Sequence, residues 1–150
     1  MPNELILIDN LIGEHEAIHG HMKSVCGLMD NWEEIADPES EAEIDINQMH
    51  INIRQTMAYL DEGIKIHHQH EDTIMPALIG TPLFEALVIE HEEILKQLKE
   101  INYILVNVDT KGFAANGAYL KLVIDNLCRL VLDHVTREDV ILRLLKRRFI

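Results

Sequence analysis

His67 and Glu71 stand four residues apart, as do His134 and Glu138, and an aspartate follows each pair at once, Asp72 and Asp139, in the pattern H-x-x-x-E-D. On an α-helix, residues four apart share a face, so each pair presents an imidazole beside a carboxylate. Two such pairs on helices that face each other make most of a dinuclear metal site. Imidazole binds a metal in its neutral form, and the carboxylates bring negative charge that offsets the cations. A carboxylate that bridges two ions also fixes their spacing. Mixed nitrogen and oxygen donors without thiolate suit iron or manganese, and affinity alone does not exclude zinc or copper.

Four amphipathic stretches are available to carry these residues. Ile8, Ile12, His15, His19, Met22, Cys26 and Met29 step by four and three, an apolar seam with two histidines in it, and predict a first helix over about 3–35. An acidic stretch, Ala36 to Asp45, holds Pro38 and reads as a loop. The second helix is expected from about Ile44 to Met75, with Ile53, Met57, Leu60, Ile64, His67, Glu71, Ile74 and Leu78 on its seam, ended or kinked by Pro76. After Gly80-Thr81-Pro82, with Thr81 the expected N-cap, a third helix over about 82–107 carries Phe84, Leu87, His91, Ile94, Leu98, Ile101 and Leu105. Residues 107–117 read as a plain loop. A fourth helix over about 118–147 carries Leu120, Ile124, Leu127, Val131, His134, Glu138, Ile141 and Leu145. Four long helices with short connections predict an all-α, antiparallel up-down four-helix bundle, one domain spanning 1–150.

The chain repeats itself weakly. Glu14-His15-Glu16 in the first helix matches Glu90-His91-Glu92 in the third, and the two H-x-x-x-E-D pairs match in the second and fourth. Each half thus contributes one lone seam histidine and one His/Glu pair. A lone seam histidine is ordinarily a hydrogen-bonded core residue, and a single His/Glu pair ordinarily lies on a surface. The recurrence across all four seams is what points to a metal site in the core. Two buried carboxylates with no lysine or arginine on the seams need cations, because an unpaired buried charge costs several kcal/mol, to order of magnitude. The expected ligands are His15, His67, Glu71, His91, His134 and Glu138, with both glutamates bridging. His70, at the edge of the second seam, is a minor candidate; His68 points off the seam and is expected either just behind the ligands or on the surface, His21 lies off the first, and His50 is some five turns from His67 along the same helix.

Composition narrows the function further. A formal net charge of −13 argues against nucleic-acid binding, which needs a basic face. No apolar run is long enough to span a membrane, and the N-terminus lacks the basic start of a secretory leader, so the expected compartment is the cytoplasm. Cys26 and Cys128 are too few for a disulfide framework and are expected to be buried thiols.

With Glu14-His15, His67-x-x-x-Glu71 followed by Ile74-Met75-Pro76-Ala77-Leu78, Glu90-His91-Glu92 and His134-x-x-x-Glu138-Asp139 in this order, the chain resembles a hemerythrin-like HHE cation-binding domain along nearly its whole length. The resemblance implies a four-helix bundle around a non-haem di-iron centre, two iron ions joined by an oxo or hydroxo bridge and two bridging carboxylates, with manganese or zinc as alternatives. It implies a protein that binds or senses O2, NO or iron, and second an enzyme, a di-iron oxidase or a peroxide-consuming catalyst using the same ligands. The chain departs from the oxygen-carrying hemerythrins in one respect. Their third helix carries a second ligand histidine four residues after the first, where this chain has Leu95.

His19 bears on that departure. It lies one turn beyond His15 and about 40° around the helix, so it is expected to be buried, either as a fifth histidine ligand in place of the one lost at Leu95 or as a neutral histidine bonded to a backbone carbonyl. Gly13, Ala17, Gly20, Ser24 and Gly27 form a stripe of small residues on the opposite face of the first helix, read either as an exposed face or as the contact of a homodimer.

Overall fold

The computed structural model describes residues 2–30 and 46–149. The acidic loop expected at 36–45, and the expected end of the first helix and start of the second, lie outside them. The described residues are almost wholly helical and contain no strand. The long helices are α1 (Pro2–Asp30), α2 (Ile46–Ile79), α3 (Thr81–Asn107) and α5 (Gly117–Lys146); a short helix α4 (Thr110–Ala115) precedes α5, and a 3₁₀ turn (Arg147–Phe149) follows it. α1 packs on α2 and α5, and α3 packs on the same two, so the four long helices enclose one interior.

That interior is layered. One apolar cluster contains Ile18, Met22, Val25, Ile53, Met57, Leu60, Ile64, Ile94, Leu98, Leu127, Val131 and their neighbours. A second, smaller one contains Ile8, Leu11, Ile12, Met75, Leu87, Leu142 and Leu145. Between them every long helix inserts polar residues at seam positions: His15 on α1, His67 and Glu71 on α2, His91 on α3, His134 and Glu138 on α5, all buried. The apolar layers on either side set the rotation of each helix about its axis, and that rotation aims the polar side chains inward.

α1 corrects the expected seam. Its buried residues are Ile8, Leu11, Ile12, His15, Ile18, Met22, Val25 and Met29. Ile8, His15, Met22 and Met29 recur every seven residues, and the positions between them are filled by Leu11, Ile18 and Val25, the spacing of a left-handed helix bundle. His19 is exposed and Cys26 only partly buried, because Ile18 and Val25 take the positions that the four-then-three stepping assigns to them. The small-residue stripe is also exposed, and a Cβ added at Gly13, Gly20 or Gly27 meets nothing within 4 Å.

Three further expectations are corrected. α2 continues through Pro76 to Ile79 and stops at Gly80, whose φ of 83° suits a residue without a Cβ; Gly80, not Thr81, is the N-cap of α3. The connection at 107–117 is not a plain loop. The Asp109 carboxylate accepts a 2.7 Å hydrogen bond from the Gly112 N–H and caps α4, which drives Phe113 fully into the core. There the ring stacks on His50 at 4.7 Å, and His50 Nε2 donates to the Leu105 carbonyl at 3.0 Å, so His50 serves the far end of the bundle. Cys26 and Cys128 are joined as a disulfide between α1 and α5, 102 residues apart, rather than being buried thiols. Nothing in two isolated cysteines reveals such a pairing before the helices are set side by side.

Phe113→Ala should cost about 3–5 kcal/mol in urea unfolding of the metal-free protein, the usual cost of emptying a filled aromatic site; a change below about 1 kcal/mol would show that α4 does not anchor the core. Thiol titration of the denatured chain, prepared without reductant, should find neither cysteine free.

Candidate metal centre

The polar layer brings six of the seven residues expected from the sequence together. Donor atoms of His15, His67, Glu71 and Glu138 lie within 4.8 Å of one another, and so do those of Glu71, His91, His134 and Glu138. Both glutamates belong to both groups, so the carboxylates form the middle of the layer, with His15 and His67 on one side and His91 and His134 on the other. His15 Nε2 is 3.3 Å from Glu71 Oε1 and 3.1 Å from Glu138 Oε2. His91 Nε2 is 2.9 Å from an oxygen of each glutamate. Along their own helices, His67 Nε2 contacts Glu71 and His134 Nε2 contacts Glu138.

The outward-facing nitrogens are held by a second ring of carboxylates. Asp139 Oδ1 accepts from His15 Nδ1 at 2.6 Å, Glu14 Oε1 from His67 Nδ1 at 2.8 Å, and Glu90 Oε2 from His134 Nδ1 at 2.5 Å. Arg137 pairs with Glu90 from the surface. With Nδ1 bonded outward, each ring directs Nε2 at the buried glutamates, the carboxylate–histidine arrangement that orients metal-binding imidazoles and makes them better donors. The repeat explains the placement. Glu14 and Glu90, each preceding a lone seam histidine, reach across to the histidine of the other helix's His/Glu pair. Sequence reasoning quoted Glu14 and Glu90 only as parts of motifs, although their matched positions were the available signal for this role.

Burial of Glu71 and Glu138 pushes their carboxyls up, but the surrounding histidines outweigh this, chiefly His15 and His67 for Glu71 and His134 and His15 for Glu138, and both are held below the usual carboxylate range. Burial opposes charge on His15, His67 and His91 too, yet hydrogen bonds to Glu138 and Glu71 raise them to about 9, about 10 and about 9. The layer therefore attracts positive charge, and protons on the imidazoles supply it when nothing else does. The ion pairs of Glu71 and Glu138 among the described residues are all with histidine. His67 Nε2, His134 Nε2 and Glu71 Oε2 are nonetheless buried without a hydrogen bond of acceptable geometry. Buried nitrogen and carboxylate donors that converge and stay unsatisfied by one another fit divalent or trivalent cations.

His19 and His70 stand outside the site, and His68 takes the inner of its two expected places. His19 is exposed and belongs to none of the converging donor groups; it lines a surface groove with His15, Glu16, Leu132, Val135, Thr136 and Asp139. Its expected burial beside His15 is thus overturned by Ile18, which occupies the inward position. His70 is also exposed, its Nδ1 donating to Glu14 Oε2 at 2.7 Å. His68, which the seam directs away from the site, is buried against it; its donor atom lies within 4.8 Å of those of His91 and His134. Burial, with the neighbouring His91 adding to it, pushes the His68 imidazole down to about 3, so it is neutral.

A family model, the Hemerythrin HHE cation binding domain, matches residues 6–145. No curated protein and no solved structure matches the chain.

The raised imidazoles fix the sign of the pH dependence. In the metal-free protein they contribute stability that is complete below about 6.5 and is lost as pH rises through about 9 to 10, while the depressed glutamates contribute stability that is lost as pH falls below about 4.5. Urea unfolding of the metal-free chain should show stability falling steadily from pH 6.5 to 10. Cobalt(II) binding should run the other way, tightening over the same range as metal displaces fewer protons. A flat stability profile between pH 6.5 and 10 would contradict the assigned protonation.

Proposed function

The chain belongs to the hemerythrin HHE cation-binding family, and on that premise we propose that it is a non-haem di-iron protein that binds or senses O2 or NO. In this reading α1, α2, α3 and α5 form an antiparallel up-down bundle. His15 and His67 would hold one iron and His91 and His134 the other, with Glu71 and Glu138 available to both. The observation that carries it is the pair of converging four-residue groups that share both glutamates.

Bound iron supplies an electron-rich, Lewis-acidic centre at which a diatomic molecule is taken up. The rest is done by the protein. Glu14, Asp139 and Glu90 keep the Nδ1 protons and thereby present Nε2 as the donor. The two apolar layers exclude water from above and below. The groove between α1 and α5 reaches His15 from the surface, with Val135 and Asp139 both on its α5 wall. It is a route for a small ligand, and no helix among the described residues is long and apolar enough to cross a membrane.

One observation favours the second reading, an oxidase or a peroxide-consuming enzyme with the same ligands. Asp139 bonds His15 and, with exposed His19, lines the groove, so a proton has a path between solvent and the site. Reversible, stoichiometric uptake of O2 or NO supports the binding protein, and repeated turnover of peroxide supports the enzyme.

Protein purified from iron-supplemented culture should carry two irons per chain, one for each converging group. Glu71→Ala and Glu138→Ala should each remove most of that iron while leaving the helical circular dichroism in place. The melting temperature should drop to that of the metal-free wild type, because metal stabilises only the folded state. Unchanged iron content in both variants would sink the proposal.

A further inference from the structure

The two sides of the polar layer differ at one pair of positions. The repeat that matches His67 with His134 also matches His68 with Val135. Val135 lies on the His15 side, in the wall of the groove. His68 lies on the other side, where its ring stacks on His91 with centroids 3.8 Å apart and planes 10° from parallel, and stands edge-on to His134 at 6.4 Å. The outer carboxylates differ in the same place. Asp139 holds His15, whereas its counterpart Asp72 is exposed and His91 has His68 against its face.

His68 is 7% exposed, and its Nδ1 is buried without a hydrogen-bond partner. An unpartnered buried nitrogen is destabilising, and a phenylalanine would fill a stacking position without that cost. A ring nitrogen of His68 converges with donor atoms of His91 and His134, all within 4.8 Å of one another, and the buried Nδ1 has no other group to satisfy it.

We infer that His68 is a fifth imidazole ligand, completing the metal held by His91 and His134 and confining open coordination to the His15–His67 side. It rests on the two-metal reading above and extends it. From the sequence, His19 on α1 is either a fifth histidine ligand or a neutral buried histidine; the structure exposes His19 and converges His68, from α2. Leu95, four residues after His91, packs against the apolar core. The consequence is an asymmetric pair. One metal is enclosed by three imidazoles and both carboxylates, and the other faces the groove beside Val135, where a ligand arrives.

The test uses iron(II)-loaded wild type and His68→Phe, which keeps the stacked ring and removes the donor. X-ray absorption should count five imidazoles per iron pair in the wild type and four in the variant. Mössbauer spectra should show two unlike irons becoming more alike, and chelator should extract iron from the variant faster by more than about tenfold, since even orienting contacts around ligands are worth that much. If His68→Phe fails to fold, His68→Ala with added imidazole replaces it. Restoration of slow iron release by imidazole and not by toluene supports a ligand, and equal restoration by both overturns it. A wild type that loads two irons, paired with a His68→Phe unchanged in imidazole count and release, overturns this inference alone. A wild type that takes up no iron pair overturns the two-metal reading as well.

Discussion

Two carboxylates with no exposed surface, Glu71 and Glu138, sit in the middle of an otherwise apolar interior, and the rest of the molecule is arranged to keep them charged. Ionised groups at such depth cost several kcal/mol each, to order of magnitude, unless positive charge comes to them. Imidazoles converge on them, one from each long helix, and those of His15, His67 and His91 hold protons there in the metal-free protein. The apolar layers above and below deny the carboxylates water, which strengthens every contact within the polar layer. Replacing this layer with hydrophobic residues would give an ordinary bundle without converging donors.

The repeat shows how the positions were filled economically. Each lone histidine brings its preceding glutamate, and that glutamate secures the histidine of a pair on a neighbouring helix, Glu14 with His67 and Glu90 with His134. A dipeptide on one helix thus orients a ring on another, and the two halves hold each other's donors. The symmetry fails where Asp139 has no buried counterpart and where His68 faces Val135 across the layer. These departures distinguish a side lined by His68 from a side that meets the groove.

Some of this was legible in residues alone. The 3.6-residue period with polar interruptions marks both the helices and the inward positions, because a buried charge on an apolar seam has few explanations. That was enough to set His15, His67, Glu71, His91, His134 and Glu138 inward, and for those helix ends that lie among the described residues to within a few residues. It was not enough for α1, where Ile8, His15, Met22 and Met29 belong equally to two seams, one through Leu11, Ile18 and Val25 and the other through Ile12, His19 and Cys26. The uninterrupted apolar character of Leu11, Ile18 and Val25 was the signal that separates them.

The sequence by itself determined the helices, the inward direction of most donors and the recurrence of the His/Glu pairs, since these follow from local period and from residue type. Tertiary structure decided what depends on neighbours far along the chain. The Cys26–Cys128 bond, the outward carboxylates that His15, His67 and His134 receive and the burial of Phe113 under the far end all rest on contacts between helices. His68 is the clearest case. Its angle on α2 directs it off that helix's own seam, and only the approach of α3, bringing His91 face to face with it, closes the space and makes it part of the centre.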